Sequence, residues 1–336
     1  FNWEDGAIPD FSNVKEVNIG QDVTVVFDNF VADLEIKTDA DGNEIHRTEG
    51  PVTSLVNNAG RIVFNRADEI DVVMTIVGDG AVTNAGRGVL TLSGENTYTG
   101  GTALNADTTT IAGSSTAFGV MTTDERGVDY GAVTTTDGAT LGLKDDVTLS
   151  RLVVNGPLTL LSDMRTEGDQ FYRGDLTIDL DPQRLTGTLA TEKTLTLTSA
   201  GGHISMLGKV DSAIDKAYSL HAITQDADKI ITIGGSVGQG QGDPDFARLD
   251  YLTIDAAPRQ TGTGEDGQPT FAYDGRIYIL ADVLTANEQV YNGSIWIGNN
   301  GEAGFLYDYF KTRVQDPMFE SEYLETPVTD QLVDLT

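Results

Sequence analysis

The side chains best equipped for chemistry in this chain are carboxylates, and three groups of them stand close enough in sequence to act together. Asp175, Asp179 and Asp181 alternate with the apolar residues Leu176, Ile178 and Leu180, so a strand would place all three on one outward face. Asp243, Asp245 and Asp250 follow a glycine-rich stretch, and Asp39, Asp41, Asn43 and Glu44 surround Gly42. Paired carboxylates flanking a sugar bond hydrolyse it, and several oxygens around one loop bind Ca²⁺. Asp243 and Asp245 are the candidate Ca²⁺ ligands, Ca²⁺ being the one cofactor the sequence offers a site for, but diffuse screening by cations outweighs a specific site. The glycine at 42 comes too early for a helix-loop-helix calcium site. With 52 acids in 336 residues, such groups arise by chance, so a solvated acidic face outweighs a catalytic pair and the expectation is a protein without catalysis.

Two enzyme patterns occur literally. Gly234-Gly235-Ser236-Val237-Gly238 fits the serine nucleophile elbow, but Gln239 through Pro244 follows it and cannot open the helix that an elbow needs. The chain offers only His46, His203 and His221 as a base for that serine. Gly262-Thr263-Gly264-Glu265-Asp266-Gly267 fits a dinucleotide loop, yet it holds two carboxylates and runs into Gln268-Pro269 instead of a helix. These read as a glycine-rich turn and a hairpin tip.

Composition narrows the partners. Lys plus Arg 21 against Asp plus Glu 52 leaves a net charge of −31, which repels nucleic acid. Cysteine is absent, which removes disulfides and thiolate sites and leaves packing and backbone hydrogen bonds to hold the fold. No apolar run approaches the ~20 residues of a membrane helix, so the chain is expected not to span a membrane. A start at Phe1 without a leader suits a mature product or a piece of a longer protein, and the acidic, cysteine-free composition suits secretion.

The elements that must position these groups are short strands. Apolar residues alternate with Thr, Ser or Asp in 89–92, 158–160, 176–180, 195–198, 231–233 and 252–254, and glycines, 38 in all, punctuate them. Gln170-Phe171-Tyr172-Arg173-Gly174-Asp175-Leu176-Thr177-Ile178 returns as Gln289-Val290-Tyr291-Asn292-Gly293-Ser294-Ile295-Trp296-Ile297, and in part as Tyr273 to Ile279. Such repetition predicts an all-β chain folded as a right-handed parallel β-helix, of ~12–16 coils and ~60–75 Å if each coil takes 20–29 residues; β-sandwich domains are the competing arrangement. Hairpins are expected to protrude around Asp41-Gly42 and Asp266-Gly267.

The predicted organisation is a cap or docking region over 1–53, β-helix over 54–165 and 166–304, and an acidic tail over 305–336 that serves as a cap or a strap between subunits. Phe1 and Trp3 at one end, and Phe305, Tyr307, Tyr309 and Phe310 at the other, are the expected contact residues for assembly.

Residues 88–102, Gly-Val-Leu-Thr-Leu-Ser-Gly-Glu-Asn-Thr-Tyr-Thr-Gly-Gly-Thr, resemble the passenger-associated repeat of bacterial autotransporters nearly residue for residue, and the likeness extends over about 54–165. Residues 195–293 are similar to the repeats of filamentous-haemagglutinin-like exoproteins, through shorter motifs such as Leu195 to Gly202. Both resemblances imply a β-helical protein exported by an outer-membrane transporter to the surface of a Gram-negative bacterium for adhesion, aggregation or biofilm structure. Its partners would be further copies of itself, surface polysaccharide, or both. A polysaccharide-active β-helix enzyme and a passive spacer stalk are the alternatives.

Overall fold

The computed structural model describes residues 16–28, 55–123, 129–180, 194–213, 216–238, 248–264 and 267–298. Among them the chain is all-β, wound as a parallel β-helix. Each coil lays down up to three short strands that pair with the coils before and after. One long face runs through eleven parallel strands, from Thr24–Asp28 and Arg61–Asn65 to Arg276–Ile279 and Ser294–Ile297. A second face holds seven, from Ile70–Val72 to Val210–Ser212, and isolated bridges at Val237 and Val283 continue it. The third face comes in two pieces. Glu16–Ile19, Leu55–Asn58 and Thr75–Val77 form the first; Met164–Thr166, Thr194–Ser199, Ser219–Thr224, Leu252–Ala256 and Gln289–Asn292 form the second.

Register explains why period-two runs suffice. On the long face Val25, Ile62, Val82, Thr102, Val133, Val154, Tyr172, Met206, Ile233, Ile279 and Ile297 stand in one column, each opposite the next. Because side chains alternate in and out, fixing one column inward buries its i±2 neighbours too. Leu152, Ile204, Ile231 and Ile277 are accordingly 0% exposed. The closed winding satisfies the backbone through the ladders, which is how a cysteine-free chain holds itself together.

Coil length varies more widely than the sequence spacing suggests. Ile62, Val82 and Thr102 are 20 residues apart, and Val154 to Tyr172 or Ile279 to Ile297 takes only 18. Longer steps, such as 46 residues from Ile233 to Ile279, carry excursions. Among the described residues eleven strands stack on the long face, spanning ~48 Å at the usual ~4.8 Å strand spacing. One excursion is the hairpin of Pro258–Thr263 and Pro269–Tyr273, whose tip has Gly267 at φ +79°, as read from the sequence. Another, Thr122–Thr123 with Asp129–Tyr130, is not foreseen. The hairpin expected around Asp41-Gly42 lies outside the described residues.

Glycine corners stack as well. A Cβ on Gly60 would lie 2.6 Å from the Gly20 carbonyl oxygen, one on Gly80 2.5 Å from that of Gly60, and one on Gly100 2.5 Å from that of Gly80. A second column runs Gly156, Gly174, Gly208, Gly235 with approaches of 2.0–2.3 Å. Side chains cannot enter such contacts, so these glycines set how closely successive corners approach.

Candidate functional site

The resemblance-bearing segment turns out to be a device for holding coils together. Between Thr75–Val77 and Met164–Thr166 the third face has no strand among the described residues, and side chains take over there. Asn96, fully buried, accepts the Ile76 N–H through Oδ1 at 2.8 Å and donates through Nδ2 to the Ala117 carbonyl at 2.9 Å. It therefore ties its own coil to the ones before and after. The buried Tyr98 hydroxyl lies 2.6 Å from Thr102 Oγ1, and burial pushes that phenol well above its ordinary range. Asn58 and Asn84 act similarly, donating to the Ala81 and Thr109 carbonyls. Asparagine looks like a loop residue in sequence, and only its recurrence before a glycine corner signals this interior use.

The literal enzyme patterns are structural. Gly235 stacks on the Gly208 corner, the Ser236 carbonyl accepts the Val210 N–H, and Val237 bridges Val210 and Val283, so Gly234–Gly238 is a corner and short bridge of the second face. The glycine loop at 262–267 closes its hairpin, with the Gly264 N–H donating to the Gln268 carbonyl. Asp175 and Asp179 do point outward, around buried Leu176 and Ile178, and Asp175 accepts the Lys209 N–H at 2.9 Å. Asp181, Asp243 and Asp245 lie outside the described residues, as do Phe1, Trp3, Phe305, Tyr307, Tyr309 and Phe310. Among the described residues no three His, Asp or Glu side chains gather as a metal site, and no helix is long and apolar enough to cross a membrane.

Two charge clusters were not apparent from the sequence. In the first, Asp129 of the unforeseen hairpin is nearly enclosed, 4% exposed, and receives the guanidinium of Arg173, that of Arg151 at 3.4 Å and the Thr123 hydroxyl at 2.5 Å. Burial alone would raise its pKa, but the hydroxyl and the two guanidinium groups hold the carboxyl below the usual range. Arg151 also reaches Asp169 and stands 5.7 Å from the centre of the Phe171 ring, so the hairpin is clasped to the long face. In the second, on the outward side of the third face, Asp255 accepts from His221 Nε2 at 2.8 Å and Asn292 Nδ2 at 2.7 Å. Burial again opposes ionisation, and these two partners overcome it, so the Asp255 carboxyl is shifted down. Its sequence signal is faint: a histidine and an aspartate at outward positions of alternating strands 34 residues apart.

The ends of the described rod differ from its middle. In the columns where Ile277 and Ile279 are 0% exposed, the next residues, Ile295 and Ile297 of the last described strand, are 44% and 41% exposed. At the opposite end an apolar cavity of about 430 Å³ opens among Val17, Val25, Phe27, Phe64, Met74 and Ile76, with Phe27 stacked on Phe64 at 5.3 Å. No protein-family model, curated protein or solved structure matches the chain.

Proposed function

We propose that this chain is a non-catalytic extracellular protein of a bacterial surface, a stiff β-helical rod that joins further copies of itself end to end and so serves adhesion, aggregation or biofilm structure. The observation that carries this reading is the exposure of Ile295 and Ile297 where the columns beneath them are sealed. An apolar column that ends in water, beside an edge strand with unpaired backbone groups among the described residues, is a template for strand addition. At the other end of the described residues the same column starts at Val25, beside the cavity, so the last and first described strands of two rods are matched in direction and in side-chain parity. Such a contact is head to tail and generates filaments instead of closed dimers. The autotransporter-like repeat supports an exported passenger, delivered by an outer-membrane transporter.

Charge sets the conditions. With −31 on every chain, copies repel one another at low ionic strength, and salt near 0.15 M shortens the screening length to ~8 Å. Sedimentation velocity at graded protein and salt concentrations, with negative-stain microscopy, tests this reading. Linear oligomers that grow with both variables and vanish in the Ile295→Glu/Ile297→Glu double variant are expected. Single rods at every concentration would reject end joining and leave the chain a spacer.

A further inference from the structure

We infer that the outward side of the third face, around Asp255 and the hairpin that follows it, is a binding site for a neutral oligosaccharide. This deepens the adhesive part of the proposed function and does not depend on the ends. The site starts from one strand. Leu252 and Ile254 of Leu252–Ala256 are fully buried, so Tyr251, Thr253 and Asp255 point out, spaced over ~13 Å along the strand. His221 lies opposite Thr253 in the preceding strand, and Asn292 lies opposite Asp255 in the following one. Asp255 receives one bond from each of His221 and Asn292. A carboxylate has about four acceptor positions, so Asp255 retains capacity for two more donors, and its side chain is still 17% exposed.

Aromatic surface flanks this polar centre on both sides. Tyr251 is 45% exposed at one end of the strand. At the other end the chain turns through Ala257, at φ +53°, into the hairpin where Pro258 opposes Tyr273 and Gln260 opposes Phe271. Phe271 and Tyr273 therefore share one face of the hairpin, their ring centres 6.4 Å apart, and the Tyr273 phenol is raised by burial and by the Asp255 carboxylate. Phe271 is 47% exposed on a two-stranded ribbon, where it adds little to the core. A large apolar ring kept in water beside hydrogen-bonding groups is explained best by a ligand with both characters.

A sugar ring has both. Its C–H face stacks on an aromatic ring, and its adjacent hydroxyls donate to a carboxylate while accepting from an amide or imidazole. Other ligands fit less well. The net charge of −31 opposes acidic polymers, and an extended peptide seeks a strand edge where this is a strand face. A purely apolar ligand would strand the acceptor capacity of Asp255.

Calorimetric titration of the full chain with cellohexaose, xylohexaose and maltohexaose, with polygalacturonate as the charged control, tests the assignment. At least one neutral hexaose is expected to bind with Kd of about 0.1–1 mM, within the range of weak recognition. Phe271→Ala and Asp255→Asn should each weaken binding at least tenfold, and Tyr251→Ala should weaken it for the longer chain more than for the corresponding trisaccharide. Phe271→Ala should leave the thermal melt and end-to-end sedimentation unchanged, which separates loss of this site from failure of the rod assembly. No binding by any of the three hexaoses, equal binding of polygalacturonate, or binding indifferent to Phe271→Ala would overturn the proposal.

Discussion

Residues 55–123 and 194–298 wind the same kind of coil by different means. In the first region the third face soon runs out of strands, and buried asparagines hold the coils through hydrogen bonds from side chain to backbone, as Asn96 does between Ile76 and Ala117. In the second the third face is a continuous ladder, and Leu195, Leu220 and Leu252 stack in its interior. The difference teaches that a β-helix can spend either strand pairs or buried amides on closing a coil. The first solution puts polar groups in the core, where each must stay satisfied. Both accommodate excursions: Thr122–Thr123 with Asp129–Tyr130 leaves the rod where the third face lacks strands, and Pro258–Thr263 with Pro269–Tyr273 where it is a ladder.

The corner glycines are common to both regions, so breaking them should cost most and cost both alike. Gly208→Ala would place a Cβ 2.3 Å from a backbone carbon of Gly174, and Gly80→Ala one 2.5 Å from a backbone oxygen of Gly60. Neither neighbour can move without shifting a coil, so each variant should lose about 3 kcal/mol or more in denaturant unfolding. Gly267→Ala, at a hairpin tip with no atom within 4 Å, should lose only the ~1 kcal/mol of its left-handed conformation.

Next in size is the comparison itself. Asn96→Ala leaves the buried Ile76 N–H without its acceptor and the Ala117 carbonyl with only the longer Tyr98 hydroxyl contact at 3.4 Å, and should cost about 2–3 kcal/mol. Ile254→Val in the other region removes one methylene from the interior and should cost about 1 kcal/mol. A milder loss for Asn96→Ala than for Ile254→Val would refute the claim that the amide staple replaces the missing strand pairs.

The strands were legible because burial on one face writes period two into the sequence: 195–198 and 252–254 are read correctly, within Thr194–Ser199 and Leu252–Ala256. Phase was not. Gln170–Tyr172 and Gln289–Asn292 look like copies, yet the first lies on the long face and the second on the third, so the repeat is of a strand and its corner, not of a whole coil. Coil length was hidden by excursions, which leave no mark on the alternation that surrounds them. The site residues were harder still. His221, Asp255 and Asn292 meet only because three coils stack, and no local pattern encodes a contact across 34 or 37 residues. Phe271 lay in a hairpin that was anticipated, but its partner was not.

The clasp at Asp129 supplies a pH test. Its folded pKa is lowered, so its full stabilisation of the hairpin is present above the ordinary aspartate value near 4 and is lost as pH falls from that value through the lower folded pKa. Asp129→Asn should cost about 1–3 kcal/mol at pH 7, and the difference from the unmutated chain should shrink progressively as pH falls below 4. A difference that persists unchanged at pH 3 would show that the hairpin is held by packing of Met121 against Val153, whose N–H lies 3.4 Å from the sulfur, and not by charge.

The smallest contrast concerns the two Gln-x-Tyr pairs, which place one chemistry at two depths. Tyr172 donates to Gln170 Oε1 at 3.0 Å inside the rod, and Tyr291 donates to Gln289 Oε1 at 2.8 Å at its half-open end. Both phenols are raised by burial, and the interior one is the more enclosed. Tyr172→Phe leaves a buried amide oxygen unpaired and should cost about 1–2 kcal/mol, while water can replace the hydroxyl in Tyr291→Phe, which should cost about half as much. If end joining covers Tyr291 as the proposed assembly requires, the Tyr291→Phe penalty should rise towards that of Tyr172→Phe under conditions where filaments form. Equal melting shifts at low and high protein concentration would place Tyr291 outside the contact.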